Sequence, residues 1–326
     1  MSFLSIIIAL LLEQVRPIGR HHPLRVALPE FIQTVRSNFD AGQRRHAYWV
    51  WILLVLVPSL LTFVTHLLIS HFLGWIAVFV FNIVVLYLTL GFRQFSYHVT
   101  GIRKALEAGN QVLARQLLAE WRKTDTRNFG QGSIVQLLIE ASVLATHISV
   151  FGVFFWYAIF AAFGLGPTGA IFYRLSEFCN RYIQSQNQSP ELKNSYTAVF
   201  FLKMWAWIDL PTSRLTALSF AMVGNFEEVI TRWRDLVTDA PWPDAKQNDN
   251  MVIAAATAGL QGTSPLGSDL NTANEISDFP IDDKPPPRIE PTLGMAEINW
   301  VVGLIWRALI LWVLVMGLLT IARLMG

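Results

Sequence analysis

Residues 49–92 read WVWILLVLVPSLLTFVTHLLISHFLGWIAVFVFNIVVLYLTLGF, without a single Asp, Glu, Lys or Arg. A helix needs roughly 20 apolar residues to cross the hydrocarbon of a bilayer. This stretch holds two such lengths, Trp49 to Ile69 and Phe72 to Phe92, parted only by Ser70 and His71. It predicts a helical hairpin in lipid, with Pro58 and His66 as the irregular members of its first arm. Two further spans are expected at Val143 to Leu165, ending in the breaker run Gly164-Leu165-Gly166-Pro167, and at Val301 to Ile321. The composition agrees. Of the 326 residues 53% are hydrophobic and 15% charged, against about 25% charged in an ordinary soluble domain. Mean hydropathy is +0.42. These values exclude a disordered chain, a nucleic-acid-coating protein and an ordinary soluble enzyme. The net charge of +2 gives no electrostatic reason for a polyanionic partner. The single cysteine, Cys179, cannot close an internal disulfide or build a zinc site alone.

The fold class expected is therefore all-α, a polytopic membrane protein of about four to five transmembrane helices plus amphipathic cytoplasmic helices. Two segments are equivocal. Ser2 to Leu12 is apolar but half a span long, with no basic residue before it and no small-residue cleavage site after it; it reads as a retained short or interfacial helix. Thr197 to Val223 is long enough but is interrupted by Lys203, Asp209, Pro211 and Arg214, and reads as a broken helix or one lying partly in the interface. Between spans, Ile102, Leu106, Val112, Leu113, Leu117, Leu118 and Trp121 alternate with charged residues around a break at Gly109-Asn110, predicting two short amphipathic helices.

Basic residues in loops orient a bundle. Residues 13–48 carry six Arg against three acids, and residues 93–137 seven basic residues against three acids. The first hairpin joins these two segments, so both lie on one side. That side is assigned to the cytoplasm of a bacterial inner membrane. Residues 224–299 differ, with 13 acids against five bases. From Thr257 onward they are rich in Gly, Ser, Asn, Asp and Pro and read as mobile. The organisation expected is a membrane core over 1–223, an acidic, partly mobile hydrophilic segment over 224–299 and a C-terminal transmembrane helix over 300–326.

Chemistry-bearing motifs are sparse. No GxxxxGK[ST], HExxH, CxxC or GxSxG run occurs. His21-His22 precedes Pro23, which favours a surface turn over metal ligation. Two polar clusters stand out. Arg122-Lys123-Thr124-Asp125-Thr126-Arg127-Asn128-Phe129-Gly130 offers the donors that hold a phosphate, or a helix N-cap with basic residues at headgroups, which the local sequence favours. Asp209 to Ala217 places Asp209 and Arg214 on either side of Pro211, inviting mutual pairing in a salt-bridged kink or a polar pocket facing the first cluster. His147 lies seven residues after Glu140 on one helix face; a satisfied core histidine is the preferred reading.

In this order the clusters resemble the CobD/CbiB family of cobalamin biosynthesis, and within it the AmpE-like branch. The likeness covers nearly the whole chain. It runs through His22-Pro23, then Ala105 to Asn110 with Ala114-Arg115. Lys123-Thr124-Asp125-Thr126 looks like a "GRDT" element, and Glu140 falls on the first Glu of "E..AEN..DG". Tyr173-Arg174 follows a Gly-rich turn as the family's "YR" does. Pro211 to Ala217 is similar to "PARLTA" with one extra residue, and Ala254-Ala255-Ala256 with Gly259-Leu260 resembles the late small-residue stretch. The family's synthases join an aminopropanol group to a corrinoid carboxylate with ATP. Here Val143-Leu144-Ala145 stands where "AEN" is expected, Ile148-Ser149 at "DG", and Phe178-Cys179-Asn180 near "LDS". Apolar side chains neither ligate Mg²⁺ nor move protons.

The reading favoured by these departures is an AmpE-like inner-membrane sensory or regulatory protein, linked to β-lactamase induction and lacking synthase activity. The alternative is an adenosylcobinamide-phosphate synthase making an amide at the expense of ATP. A transporter or lipid-binding protein using 197–223 as its pathway ranks last, because the other spans hold almost no charge. The candidate polar pocket comprises Arg122, Lys123, Asp125, Glu140, His147, Arg174, Asp209 and Arg214, with no metal ligand set among them. No cofactor is expected, ATP and Mg²⁺ entering only with the synthase reading. The expected partners are the lipid bilayer and a membrane or cell-wall regulatory protein, with no nucleic acid; the oligomeric state is left open.

Overall fold

The computed structural model describes residues 2–15, 23–40, 43–122, 129–186, 195–238, 243–261 and 294–325. Among them there is no strand, and every regular element is helical. The first five helices in chain order are α1 (Ser2–Val15), α2 (Pro23–Phe39), α3 (Arg44–Phe72), α4 (Gly74–Thr89) and α5 (Phe92–Glu107). They are followed by α6 (Gln111–Arg122), α7 (Gln131–Ala162), α8 (Thr168–Gln186) and α9 (Tyr196–Val223). The last are α10 (Phe226–Thr238), α11 (Ala245–Gln261) and α12 (Met295–Met325).

Three of these helices are long and apolar enough to cross a bilayer, α3, α7 and α12. The chain is thus an all-α, multi-pass membrane protein. α4, the hairpin's second arm, and α1 are shorter apolar helices. The hairpin turns at Leu73-Gly74, two residues beyond Ser70-His71, where Gly74 takes φ +79°. Only glycine adopts such a backbone without strain. The third span begins at Gln131, twelve residues before the sequence placed it, and ends at Ala162. Its polar first turns, with Gln136, Glu140 and Ser142, lower the apolar signal there while Ile134, Val135, Leu138 and Ile139 are buried against protein. The amphipathic pair forms as α5 and α6, turning at Gly109 with φ +70°. Arg115 Nε donates to the Phe129 carbonyl at 2.7 Å and ties α6 to the start of α7.

Burial divides the spans by role. α3 buries only 17% of its apolar window and exposes Leu60 and Leu61, which suits lipid contact. α7 buries 56% of its window and lies inside the bundle. α9 is the other central element. It runs unbroken through Pro211 for 28 residues, where the sequence predicted a break. Its Asp209, Thr212, Ser213, Thr216 and Ser219 are buried, whereas Lys203, Trp207, Leu215, Leu218 and Met222 point outward. α8, α10, α11 and α12 pack around it.

α10 and α11 form within the acidic segment, and Val229, Val252, Ala255 and Ala256 are part of the core. The mobile stretch expected from Thr257 onward falls almost wholly on 262–293, outside the described residues. α1 packs along α4 and touches α12, where Phe3 lies against Gly317.

Candidate functional site

Both α3 and α7 contain a short π-helical stretch, Ile52–Leu56 and His147–Phe151. Such bulges widen one turn and often mark functional positions. In α7 the widened turn begins at His147, whose ring is fully buried. Its Nδ1 lies 2.9 Å from Thr216 Oγ1 and its Nε2 lies 3.0 Å from Asp209 Oδ1. Tyr173 of α8 donates its hydroxyl to the same Asp209 oxygen at 2.8 Å. Asp209 and Thr216 stand seven residues apart on α9, two helical turns, which puts both on the face that His147 meets. Three helices are thereby joined through one carboxylate oxygen. All four residues have zero solvent exposure. Charge-assisted bonds of this kind are about twice as strong as neutral ones, and losing one partner leaves a buried group exposed to the full desolvation cost.

The cluster is close-packed. Gly152 follows the π-stretch, and a Cβ there would overlap the Tyr173 ring. The ring also packs on Trp205 at 5.2 Å between centroids. The Trp156 indole donates to the Ile208 carbonyl at 3.2 Å, beside the turn that Pro211 weakens.

α11 closes the other side of this turn. Asn248 Nδ2 donates to the Ala206 carbonyl at 2.9 Å, and its Oδ1 accepts from Arg214 Nη1 at 3.3 Å. Asn248 thus spans the α9 turn holding Asp209 and Thr212. Two oxygens in that turn, Asp209 Oδ2 and Thr212 Oγ1, are buried without a hydrogen-bond partner. The next residue, Asp249, is half-buried. Burial, then the charge of Asp209, pushes its carboxyl up to about 7, against the opposing pull of His147 and Arg122. Arg214 also lies over the Trp233 ring, 6.0 Å from its centroid.

A second polar group lies further along α8. Arg174 Nη1 reaches Glu177 Oε2 at 3.3 Å, and Arg181 Nε reaches Glu177 Oε1 at 3.3 Å. Glu177 is buried between the two guanidinium groups, and Arg174 faces Ser149 and Gly91.

The residues singled out in the sequence thus separate. His147 and Asp209 meet, in the satisfied-core arrangement. Asp209 and Arg214 do not pair; Asp209 takes His147 and Tyr173, and Arg214 takes Asn248 and Ser213. Glu140 accepts from Gln136 at 3.0 Å rather than joining His147. Arg174 engages Glu177. Arg122 is exposed at the end of α6, within electrostatic reach of Asp249. Lys123 and Asp125 lie outside the described residues. Asn248, Asp249 and Glu177 escaped the sequence reading, and nothing in their local sequence distinguishes them. Thr216 could have been found from its seven-residue spacing to Asp209. Among the described residues no group of three or more His, Cys, Asp or Glu forms a metal cradle.

The family model described as CobD/Cbib protein matches residues 3–285. A "Cobalamin biosynthesis protein CobD" of Stutzerimonas stutzeri is 26% identical over 324 residues, covering 96% of each chain. A protein of the same name from Chromobacterium violaceum is 28% identical over 231 residues, covering 71% of this chain and 67% of its own. No solved structure matches.

Proposed function

We propose a function from one premise: the chain belongs to the CobD/CbiB family. The function is that of the family's synthase, a membrane-embedded amide-forming enzyme of cobalamin biosynthesis. It joins an aminopropanol phosphate to a corrinoid carboxylate, with ATP as co-substrate. This reading takes precedence over the regulatory one because the full-length relative carries the cobalamin name. The observation that carries it is the convergence of motif positions. Tyr173 of the "YR" element, Thr216 of the "PARLTA" element and Asp209 just before that element meet in one buried cluster. A chain freed from the chemistry has no need to keep a buried carboxylate that costs several kcal/mol to desolvate.

In the proposed reaction ATP transfers its γ-phosphoryl group to the corrinoid carboxylate, releasing ADP. The amine attacks the resulting acyl carbon, phosphate leaves, and the amine gives up a proton. Mg²⁺ would arrive with the ATP. Among the described residues no group of three or more His, Cys, Asp or Glu comes together, so no step is assigned to a protein-held metal. Asp249, half-buried with its carboxyl near 7, is suited to receive the amine's proton at neutral pH. The fully buried His147, Asp209, Tyr173 and Thr216 are positioning residues that fix α7, α8 and α9 against one another.

The reading places the protein in a bacterial inner membrane with 13–48 and 93–137 on the cytoplasmic side, where ATP is available. One observation favours the AmpE-like regulatory reading instead: Val143, Leu144, Ala145 and Ile148 occupy positions where the family's polar motif stands. Complementation separates the two. A bacterium lacking its own adenosylcobinamide-phosphate synthase is supplied with the corrinoid acid that this step consumes. Cobalamin-dependent growth on expression of this chain supports the synthase. Absence of growth with the protein present in the membrane, while the amide product restores growth, supports the regulator.

A further inference from the structure

Where α4 gives way to α5, three groups that the proposed reaction does not use come together. Gly91 precedes α5, and no side chain caps that helix. The first N–H groups of a helix have no partner within it and carry a partial positive charge. No acidic residue stands in the first turn to meet them. A Cβ on Gly91 would lie 3.5 Å from Arg174 Nη2 and 3.5 Å from Ser149 Oγ, so both atoms face the bare α-carbon where α5 opens. Arg174 engages Glu177 through Nη1, which leaves Nη2 toward Gly91. Ser149 is only 9% exposed, and among the described residues its hydroxyl takes no hydrogen bond. The other buried hydroxyls of α7, Ser142 and Thr146, donate to the carbonyl four residues back. Ser149 lies in the π-stretch, and its hydroxyl faces Gly91 instead. Buried polar groups call for partners.

A guanidinium nitrogen, an unpartnered hydroxyl and an uncapped helix start are the donor set of an oxyanion. Arg174 and Arg181 against Glu177, two positive charges and one negative, leave a net +1 beside it. Arg174 keeps 26% of its side chain exposed and Gly91 is half-buried, so the point is reached from the surface. Its depth selects the oxyanion. The uncharged run ends at Phe92, so Gly91 stands where the chain passes from hydrocarbon to headgroups. The exposed Arg44 and Arg45 begin α3 on the same side of the hairpin. We propose that Arg174 Nη2, Ser149 Oγ and the opening N–H groups of α5 bind the phosphate of an acidic phospholipid. The site stands whether or not the chain makes an amide bond.

Native mass spectrometry tests this on the full-length protein released from nanodiscs of phosphatidylglycerol and phosphatidylcholine in equal amounts. The two lipids share acyl chains and a phosphate, but choline cancels the second lipid's charge. The expected result is one retained lipid, phosphatidylglycerol over phosphatidylcholine by about tenfold. Arg174→Gln removes the preference. Arg44→Gln, at an exposed arginine on the same side, leaves it unchanged. Two gentler variants keep the test open if Arg174→Gln fails to fold. Ser149→Ala removes a hydroxyl that no described residue uses, and Gly91→Ala adds a methyl at ordinary contact distance from both donors, covering the helix start without a clash. Each lowers the preference by about threefold to tenfold and leaves the thermal midpoint unchanged. Equal retention of the two lipids, an undiminished preference in the Ser149 and Gly91 variants, or an Arg44→Gln loss as large as that of Arg174→Gln would overturn the assignment. Inorganic phosphate is also titrated calorimetrically into the protein in phosphatidylcholine nanodiscs. No heat beyond that of Arg174→Gln is expected; phosphate binding that Arg174→Gln removes would give the site to a free phosphate and overturn the lipid.

Discussion

Replacing Gly152 by alanine tests the buried cluster through sterics alone. The new Cβ would overlap the Cζ, Cε1 and hydroxyl of Tyr173, whose ring is wholly buried and packed on Trp205. The ring has no free space to retreat into. Overpacking a dense core costs about 1–3 kcal/mol. Displacing the hydroxyl from Asp209 adds about 1.5–3 kcal/mol for the lost bond to a charged acceptor. The expected total is about 2.5–6 kcal/mol. For a chain of this size that lowers the midpoint of thermal unfolding by roughly 4–9 °C. Tyr173→Ala is destabilising by itself, because it removes the ring and the hydroxyl together. In its background Gly152→Ala has nothing to strike, so the second substitution costs less than about 1 kcal/mol. The four proteins of this double-mutant cycle are compared in detergent by near-ultraviolet circular dichroism. A Gly152→Ala midpoint within 1–2 °C of the parent, or additive losses in the double variant, would refute the packing described here.

Three further outcomes are expected. Asp249 carries a carboxyl raised from 3.8 to about 7, so the folded state keeps a proton that the unfolded chain has lost. Folding stability therefore falls as pH rises from about 4 to 7 and levels above that; Asp249→Asn flattens this slope in thermal melts taken across the range, and an unchanged slope contradicts the assignment. Gly169→Ala sets a Cβ onto the backbone carbonyl of Trp156, which cannot swing away as a side chain can, and reduces the yield of folded protein in size-exclusion chromatography; wild-type yield and midpoint would contradict the α7–α8 contact. Leu61→Arg places a charge on an exposed position of α3, costing about 2.5–3.5 kcal/mol of insertion free energy at mid-membrane. Reduced membrane integration in a glycosylation-reporter assay is expected, and unaltered integration would move Leu61 out of lipid.

Much of the architecture was legible in the sequence because spans and turns leave local marks. The uncharged run from Trp49 to Phe92 announced the hairpin, and Gly109 announced the turn between the amphipathic helices. Where the bundle buries its own polar residues, the local marks mislead. α7 starts at Gln131 because Gln136 and Glu140 bond to each other and Ser142 to the Leu138 carbonyl within the helix, while Ile134, Val135, Leu138 and Ile139 are buried; hydropathy alone discounts the polar three. Pro211 predicted a break, yet α9 continues through it, with partners on α7 and α11. The site was half legible. His147 and Asp209 were chosen as polar residues in apolar surroundings, but 62 positions separate them, and only packing shows that they pair with each other. Asn248 and Asp249 sit in an ordinary polar helix start, so their place against the α9 turn is invisible without the fold.

The central claim is that this chain makes an amide bond in cobalamin assembly. The direct measurement is a reaction with the purified protein in nanodiscs, supplied with the corrinoid acid, aminopropanol phosphate, ATP and Mg²⁺, and followed by mass spectrometry. The account predicts a corrinoid amide formed in equal amount with ADP, and loss of both with Asp249→Asn. ATP and corrinoid acid left unchanged, by a protein whose thermal midpoint shows it folded, would contradict it.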